Sequence, residues 1–290
     1  MEKIYGYLRD PAPCTSPTGD PIVGTRKLTL WGHDFDELDA KDLLAKLPQV
    51  QPGDVDLSKF CTETNQLSLN ACAGNATADS IEMAMRITEA AQAAAQNRAP
   101  AEIPQMSRLF VYSMSRMLQD TDGDGHNDLN LDQGTYIRLC FDVLSRFGIC
   151  REETWPYLTD KVFISPSMKA QREAVGHRIH SYYRIRSFNQ DRVDEVVSAL
   201  RANHPVVFGT QIDASFEKIS NSTPVGPPTA PLGGHAMIIV GYIGGNFLIK
   251  NSWGTGWGDG GFCMMTPDYI AWSGTDDLWV PTLGTSFITG

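Results

Sequence analysis

Two neighbouring stretches decide the reading of this chain: Leu232-Gly-Gly-His-Ala-Met-Ile-Ile-Val-Gly-Tyr242 and, just beyond, Lys250-Asn-Ser-Trp-Gly-Thr-Gly-Trp-Gly-Asp-Gly-Gly-Phe262. The first is an apolar β-type run entered through a histidine. The second follows another short apolar run, Asn246 to Lys250, after the glycine pair Gly244-Gly245. Two runs separated by a glycine pair predict an antiparallel hairpin. Its register places His235 beside Asn251, where an amide oxygen can accept the imidazole N–H and fix the ring without adding charge. Trp253 can lie over that bond and keep water off it. Two ordinary core strands would explain the apolar residues, but not Asn-Ser-Trp-Gly followed by so many glycines.

A histidine held in this way needs something to exchange a proton with. Upstream, Gln66-Leu-Ser-Leu-Asn-Ala-Cys-Ala-Gly-Asn-Ala76 sets one cysteine among small uncharged residues. Most cysteines are small buried hydrophobes. Cys72 differs in standing where a helix is predicted to begin: Ala73 to about Arg98 is rich in Ala, Met, Glu and Gln at helical spacing. Exposed N–H groups at a helix start favour a thiolate. The other histidines have simpler readings. His204 sits at a helix end, His33 lies in the N-terminal extension, His126 falls in an acidic loop, and His177 with His180 lacks a third ligand at zinc spacing.

Gln66, Cys72, His235 and Asn251 in this order, with His-Ala before one strand and Asn-Ser-Trp-Gly-Thr-Gly-Trp-Gly after the next, resemble the papain family of cysteine peptidases, in its bacterial branch. The resemblance covers about residues 54 to 290. It implies an α+β, two-lobed fold with a helical N-terminal lobe (roughly 65–160), a β-barrel-like C-terminal lobe (roughly 161–290) and the active site between them. It also implies an endopeptidase working through a thioester. Cys72 is then the nucleophile, His235 the proton carrier, Asn251 its orienter, and Gln66 with the Cys72 N–H the oxyanion hole. Gln133, Gly134, Ala236 and Trp253 become candidate substrate-binding residues, Gly134 by pairing with substrate backbone. The nucleophile's surroundings, Leu69-Asn70-Ala71-Cys72-Ala73, depart from the family's Cys-Gly-Ser-Cys-Trp, so its usual bridge cannot form. The spacing from Cys72 to His235 exceeds the ~130–150 residues of the family pattern, and Gln119 to Asp132 and Lys218 to Pro231 can absorb the excess. The same fold can host acyl transfer to an amine or a non-catalytic binding protein; the intact set of four residues argues against the latter.

Residues 1–48 stand apart as a prosegment-like extension before a catalytic domain over 49–290. A helix is expected within Asp36 to Leu47, capped by Asp39. Tyr5, Tyr7, Leu8, Trp31 and Phe35 give the extension side chains able to fill a cleft, and the resemblance implies an N-terminal segment that covers the active site; the chain's own segment is expected to act as an intramolecular inhibitor, with a strap that packs on one lobe and stabilises it as the alternative. Further helices are expected over Ser107–Leu118, Tyr136–Phe147 and Asp191–Ala202, and strands at Val206–Phe208, Ala236–Tyr242, Asn246–Lys250 and Gly261–Met265.

Composition narrows the partners. With 24 Lys and Arg against 34 Asp and Glu, the net charge of −10 disfavours nucleic acid and anionic lipid. No apolar run reaches the length of a membrane span. Polypeptide substrates and a monomeric protein are expected. The N-terminus lacks a continuous apolar stretch, so the expected location is the cytoplasm, or outside by a signal-independent route. Six cysteines are too sparse for a disulfide scaffold, and reduced thiols are the expectation. No cofactor is expected for catalysis. Asp120, Asp122, Asp124 and Asp128 alternate as in the first part of a calcium loop, though the closing glutamate is missing; an acidic solvated turn fits the same residues.

Overall fold

A computed structural model describes residues 6–10, 38–47 and 52–283. Cys14, Tyr5, Trp31 and Phe35 lie outside the described residues. In chain order the elements are β1 (Leu38–Asp39), α1 (Ala40–Leu44), β2 (Val55–Asp56), α2 (Cys72–Ala95), α3 (Arg108–Met117), α4 (Ile137–Arg146), α5 (Met168–Ala174), β3 (Ser181–Ile185), α6 (Asn189–Arg201), β4 (Val206–Ile212), β5 (Gly233–Ile243), β6 (Asn246–Lys250), β7 (Phe262–Met265), α7 (Pro267–Ala271) and β8 (Thr275–Thr282). Helices dominate the first half and strands the second, an α+β arrangement.

Local chemistry sets the helix ends. Asp39 caps α1 by accepting from Lys41 N, and Ser107 caps α3 by accepting from Phe110 N. At the far end of α2, Asn97 takes φ +52 and Arg98 N donates to Ala93 O, the left-handed stop that Asn tolerates. This ends the helix three residues before the expected boundary. The first three turns of α2 are buried on every side, which suits the small residues Ala73, Gly74, Ala76 and Ala78.

The sheet runs β1-β3-β8-β4-β5-β6-β7, with β2 also on β5. Its end strands do not pair, so it is an open sheet and not a closed barrel. β5 and β6 form the expected hairpin, with Gly244 and Gly245 both at positive φ, as the tight turn requires. β3 and β8 escaped the sequence reading because both carry charge. Asp276 and Asp277 of β8 are buried, with Arg184 of β3 within 2.9 Å of Asp277 and 3.9 Å of Asp276. Residues 38–47 join this sheet's edge: β1 pairs with β3, and Ala40 and Leu43 enter the core.

The helical and sheet halves are joined by a buried ionic cluster. Lys250 Nζ pairs with Asp79 and donates to Thr64 Oγ1 at 2.7 Å; Arg108 Nε donates to Asp79 at 2.6 Å, and Arg108 also reaches Glu82 at 3.2 Å. Burial pushes the Asp79 carboxyl up, but Arg108 and Lys250 outweigh it and hold the group below its ordinary value. Asp79 faces two cations, so Asp79→Ala takes the carboxylate from Lys250 and leaves Arg108 with Glu82 alone. It should destabilise the protein by about 3–5 kcal/mol in urea denaturation. Lys250→Met leaves Asp79 with Arg108 and should cost less. Equal or reversed costs would contradict this assignment.

Candidate active site

Cys72 opens α2 and is fully buried. Burial pushes its thiol up to about 12, against the N–H groups of Ala236, Ala73, Cys72 itself and Gly6, which favour the thiolate. Ala236 directly follows His235, so the start of α2 meets β5 at the histidine.

His235 Nε2 lies 2.8 Å from Asn251 Oδ1, and the same oxygen accepts from Ser252 N at 2.8 Å. The second contact settles the chemistry of the first. A backbone N–H must donate to an oxygen, so the amide is oriented with Oδ1 toward the ring, and Nε2 must carry the proton it shares. Nδ1 is then the nitrogen able to exchange a proton. The Trp253 ring covers His235, with centroids 4.7 Å apart, and Phe216 packs at 6.4 Å from His235 and 5.8 Å from Trp253. Trp257 Nε1 donates to Phe216 O at 3.0 Å and holds this aromatic wall in place.

Gln66 is buried and oriented at both ends. Its Oε1 accepts from Ser252 Oγ at 2.7 Å, and its Nε2 donates to Leu69 O at 2.9 Å. An amide nitrogen has two hydrogens, so a second remains beyond the Leu69 bond. Ser252 thus serves both Gln66 and Asn251. It sits inside the quoted Asn-Ser-Trp-Gly, but its part cannot be read from spacing.

Residues 6–10 run through the cleft beside these groups. Leu8 N donates to Thr135 O at 3.2 Å, Thr135 N to Gly6 O at 3.1 Å, and Tyr7 N to Gly234 O at 3.4 Å. Toward this segment the backbone pairing falls to Thr135, the neighbour of the expected Gly134, while Gly134 N donates to Tyr112 Oη at 3.2 Å. Gly134 makes room instead. It has φ +91, and a Cβ there would lie 2.0 Å from Gly6 O. Gln133 is exposed. Asp132, accepting from Tyr112 Oη at 2.6 Å and from Asn70 N at 3.2 Å, ties this strand to the loop carrying Cys72.

The acidic loop divides. Asp120, Asp122 and Asp124 bring oxygens within 4.8 Å of one another. Asp128 is not with them: it is buried, and accepts from Gln119 Nε2 at 2.7 Å and from Thr121. It closes the turn from inside. Among the described residues Cys61, Cys72, Cys140, Cys150 and Cys263 are free thiols.

The sequence pattern of the papain family cysteine proteases matches residues 107–277, a span holding His235 and Asn251. The chain belongs to that family. An uncharacterized peptidase C1-like protein of Acanthamoeba polyphaga mimivirus is 30% identical over 248 residues, 80% of this chain and 75% of that protein. Xylellain, a cysteine protease from Xylella fastidiosa, superposes with TM-score 0.69 at 28% identity, covering 98% of this chain and 97% of its own. Digestive procathepsin L2 from Tenebrio molitor matches at TM-score 0.64 and 20% identity, over 86% of this chain and 74% of its own, a likeness of fold. The papain-like fold and the hydrolase class expected from sequence are therefore both established, and polypeptides are the substrates that a protease of this family takes.

With its thiol raised by burial, Cys72 should react slowly with iodoacetamide at neutral pH in the full chain. Its rate should keep climbing above pH 9, because the thiolate fraction grows until pH passes the raised pKa. A rate that levels off near pH 8.5 would contradict the covered thiol.

Proposed function

We propose that Cys72, His235, Asn251 and Gln66 carry out peptide hydrolysis in this protease, and that residues 6–10 hold the enzyme in check. The observation that carries the catalytic reading is the His235–Asn251 bond with its fixed tautomer, which supports Nδ1 as the atom that exchanges a proton with Cys72.

In this scheme the Cys72 thiol gives its proton to His235 Nδ1, and the sulfur attacks the substrate carbonyl carbon. The N–H of Cys72 and the second Nε2 hydrogen of Gln66 receive the developing oxyanion. The carbon–nitrogen bond breaks as His235 returns the proton to the leaving amine, and a thioester remains. Water then gives a proton to Nδ1 and attacks the thioester; the acid leaves and the thiol is restored. Asn251 and Trp253 keep the ring oriented and dry throughout. No step uses a metal. Calcium at Asp120, Asp122 and Asp124 would act on stability alone, raising the melting temperature at millimolar concentration with activity unchanged.

The inhibitory reading rests on how the segment sits. Gly6 presents its N–H to Cys72 while its carbonyl oxygen is taken by Thr135 N. A nucleophile facing an amide hydrogen has no carbonyl carbon to attack. Asp10 pairs with Arg138 and Arg184, and Arg9 with Asp276 at 2.9 Å, so the segment is anchored beyond the cleft as well. We propose a monomeric endopeptidase regulated within one chain.

Cys72→Ala should abolish hydrolysis and labelling by a thiol-directed epoxide, with far-UV structure kept. Gln66→Ala should lower kcat by about 10²–10³, and Asn251→Ala should be milder than Cys72→Ala. Tyr7→Ala should raise kcat/KM on small peptides at least about tenfold, since the open fraction multiplies the apparent constant. Unchanged kinetics in Tyr7→Ala would rule out inhibition by this segment, and hydrolysis surviving Cys72→Ala would rule out the mechanism.

A further inference from the structure

An oxyanion hole works only if its donors are in place before the charge forms. The two proposed donors stand on different pieces of chain: the Cys72 N–H opens α2, and Gln66 Nε2 belongs to the loop before it. Ser252 fixes Gln66 to the sheet half. Gln66 N donates to Ser252 O at 2.8 Å, and Ser252 Oγ donates to Gln66 Oε1 at 2.7 Å. Gln66 must also be fixed against α2, and the turn that follows it is strained. Leu67 has φ +56, a left-handed conformation that a leucine keeps only where its surroundings enforce it.

Three bonds enforce it. Leu67 N donates to Asn65 Oδ1 at 2.9 Å, Leu69 N to Gln66 O at 3.2 Å, and Tyr157 Oη to the same Gln66 O at 3.1 Å. The first two lie within the loop; the third comes from the segment between α4 and α5. That hydroxyl is held in turn from α2. Asn75, one helical turn after Cys72, donates from Nδ2 to Ala71 O at 2.9 Å and to Tyr157 Oη at 3.4 Å. A carbonyl oxygen can only accept, so the Asn75 amide is turned with its nitrogen toward Ala71. The phenol then accepts from Asn75 and keeps its one proton for Gln66 O. Burial raises the Tyr157 hydroxyl above its ordinary value, which holds that proton in place. Asn75 is fully buried, and its Oδ1 has no hydrogen-bond partner among the described residues. A buried acceptor without a donor is costly, and an alanine there would avoid it. What the amide adds is the pair of bonds from Nδ2.

We propose that Tyr157 and Asn75 are positioning residues of the oxyanion hole: the Tyr157 hydroxyl, held by Asn75, fixes the main chain of Gln66 against the first turn of the nucleophile's helix. This rests on the cysteine peptidase reading above. Both residues act through Gln66 and not on the substrate. Tyr157 is anchored at its own main chain, where its N–H donates to Glu152 Oε1. Without the hydroxyl, Leu67 can relax from its left-handed conformation. Gln66 Nε2 then drifts from the point where the Cys72 N–H meets the oxyanion. The loss falls on steps that build negative charge on a carbonyl oxygen. Reactions of the same thiolate that form no oxyanion are unaffected.

The test compares two reagents at Cys72 in the full chain. p-Nitrophenyl acetate acetylates the thiolate through a tetrahedral oxyanion, with p-nitrophenolate leaving. Iodoacetamide alkylates it by direct displacement of iodide, with no oxyanion. Both rates are read by acid quenching and mass mapping at Cys72. Both scale with the thiolate fraction and with how often the cleft is open, so their ratio is free of either. Tyr157→Phe should lower the acylation-to-alkylation ratio by about three- to tenfold, the usual net weight of one hydrogen bond. Gln66→Ala should lower it further. Adding Tyr157→Phe to Gln66→Ala should then change it by less than about twofold, because the hydroxyl acts through the missing amide. An unchanged ratio in Tyr157→Phe overturns the proposal, and so does an equal fall in the Gln66→Ala background; either leaves the peptidase reading standing. If Tyr157→Phe fails to fold, Asn75→Ala, which frees the hydroxyl, is judged by the same ratio. Native protein that takes iodoacetamide at Cys72 but never an acetyl group overturns the peptidase reading itself.

Discussion

The buried pair between Asp79 and Lys250 is the contact on which the site depends. Asp79 lies two turns along the helix that Cys72 begins, and Lys250 immediately precedes Asn251. Joining them sets the helix that Cys72 begins against the strand that leads into Asn251, whose Oδ1 meets His235. Taking such charges out of water is costly, and an isolated pair often fails to recover that cost. Here Arg108 and Thr64 Oγ1 donate to the same carboxylate, and Thr64 Oγ1 accepts from the lysine. What the cluster secures is placement: α2 cannot slide along β6 without stranding a buried charge.

From that placement the rest of the cleft follows by short links. Ser252, next after Asn251, holds Gln66 Oε1 and gives its N–H to Asn251. Asp132 fastens the Gly134–Thr135 strand to Asn70. The N-terminal segment lies between that strand and Gly234, and covers Cys72. The thiol raised to about 12 belongs to this covered arrangement, in which water is excluded and the thiolate disfavoured. Under the proposed inhibition, coverage acts twice, by occupying the substrate path and by keeping the Cys72 thiol protonated.

Much of this was legible in the sequence because it is carried by local pattern. The glycine pair between two apolar runs is enough for the hairpin, and the hairpin register is enough for His235 beside Asn251. Asp39 and Ser107 read as caps because short polar side chains do so at helix starts. What was not legible depends on distant partners. β8 reads poorly as a strand because Asp276 and Asp277 are acceptable inside only with cations far away in the chain, Arg9 beside Asp276 and Arg184 beside Asp277. Asp128 looks like a fourth member of the acidic loop by spacing, yet Gln119 and Thr121 turn it inward. Gly134 attracts notice as the glycine, whereas the pairing falls to Thr135, and the glycine's part is to leave space for Gly6. Tyr7 is one of several aromatic residues in the extension, and only its close approach to Gly209 and Gly234, where a Cβ would meet its ring, singles it out.

The central claim is that hydrolysis passes through a thioester on Cys72. The direct measurement is rapid acid quenching during turnover of a peptide ester, followed by intact mass and peptide mapping. The account predicts one acyl group per chain, mapped to Cys72 and accumulating as a burst before steady state. Turnover with no acyl adduct, or with the adduct on Cys61, Cys140, Cys150 or Cys263, would contradict it.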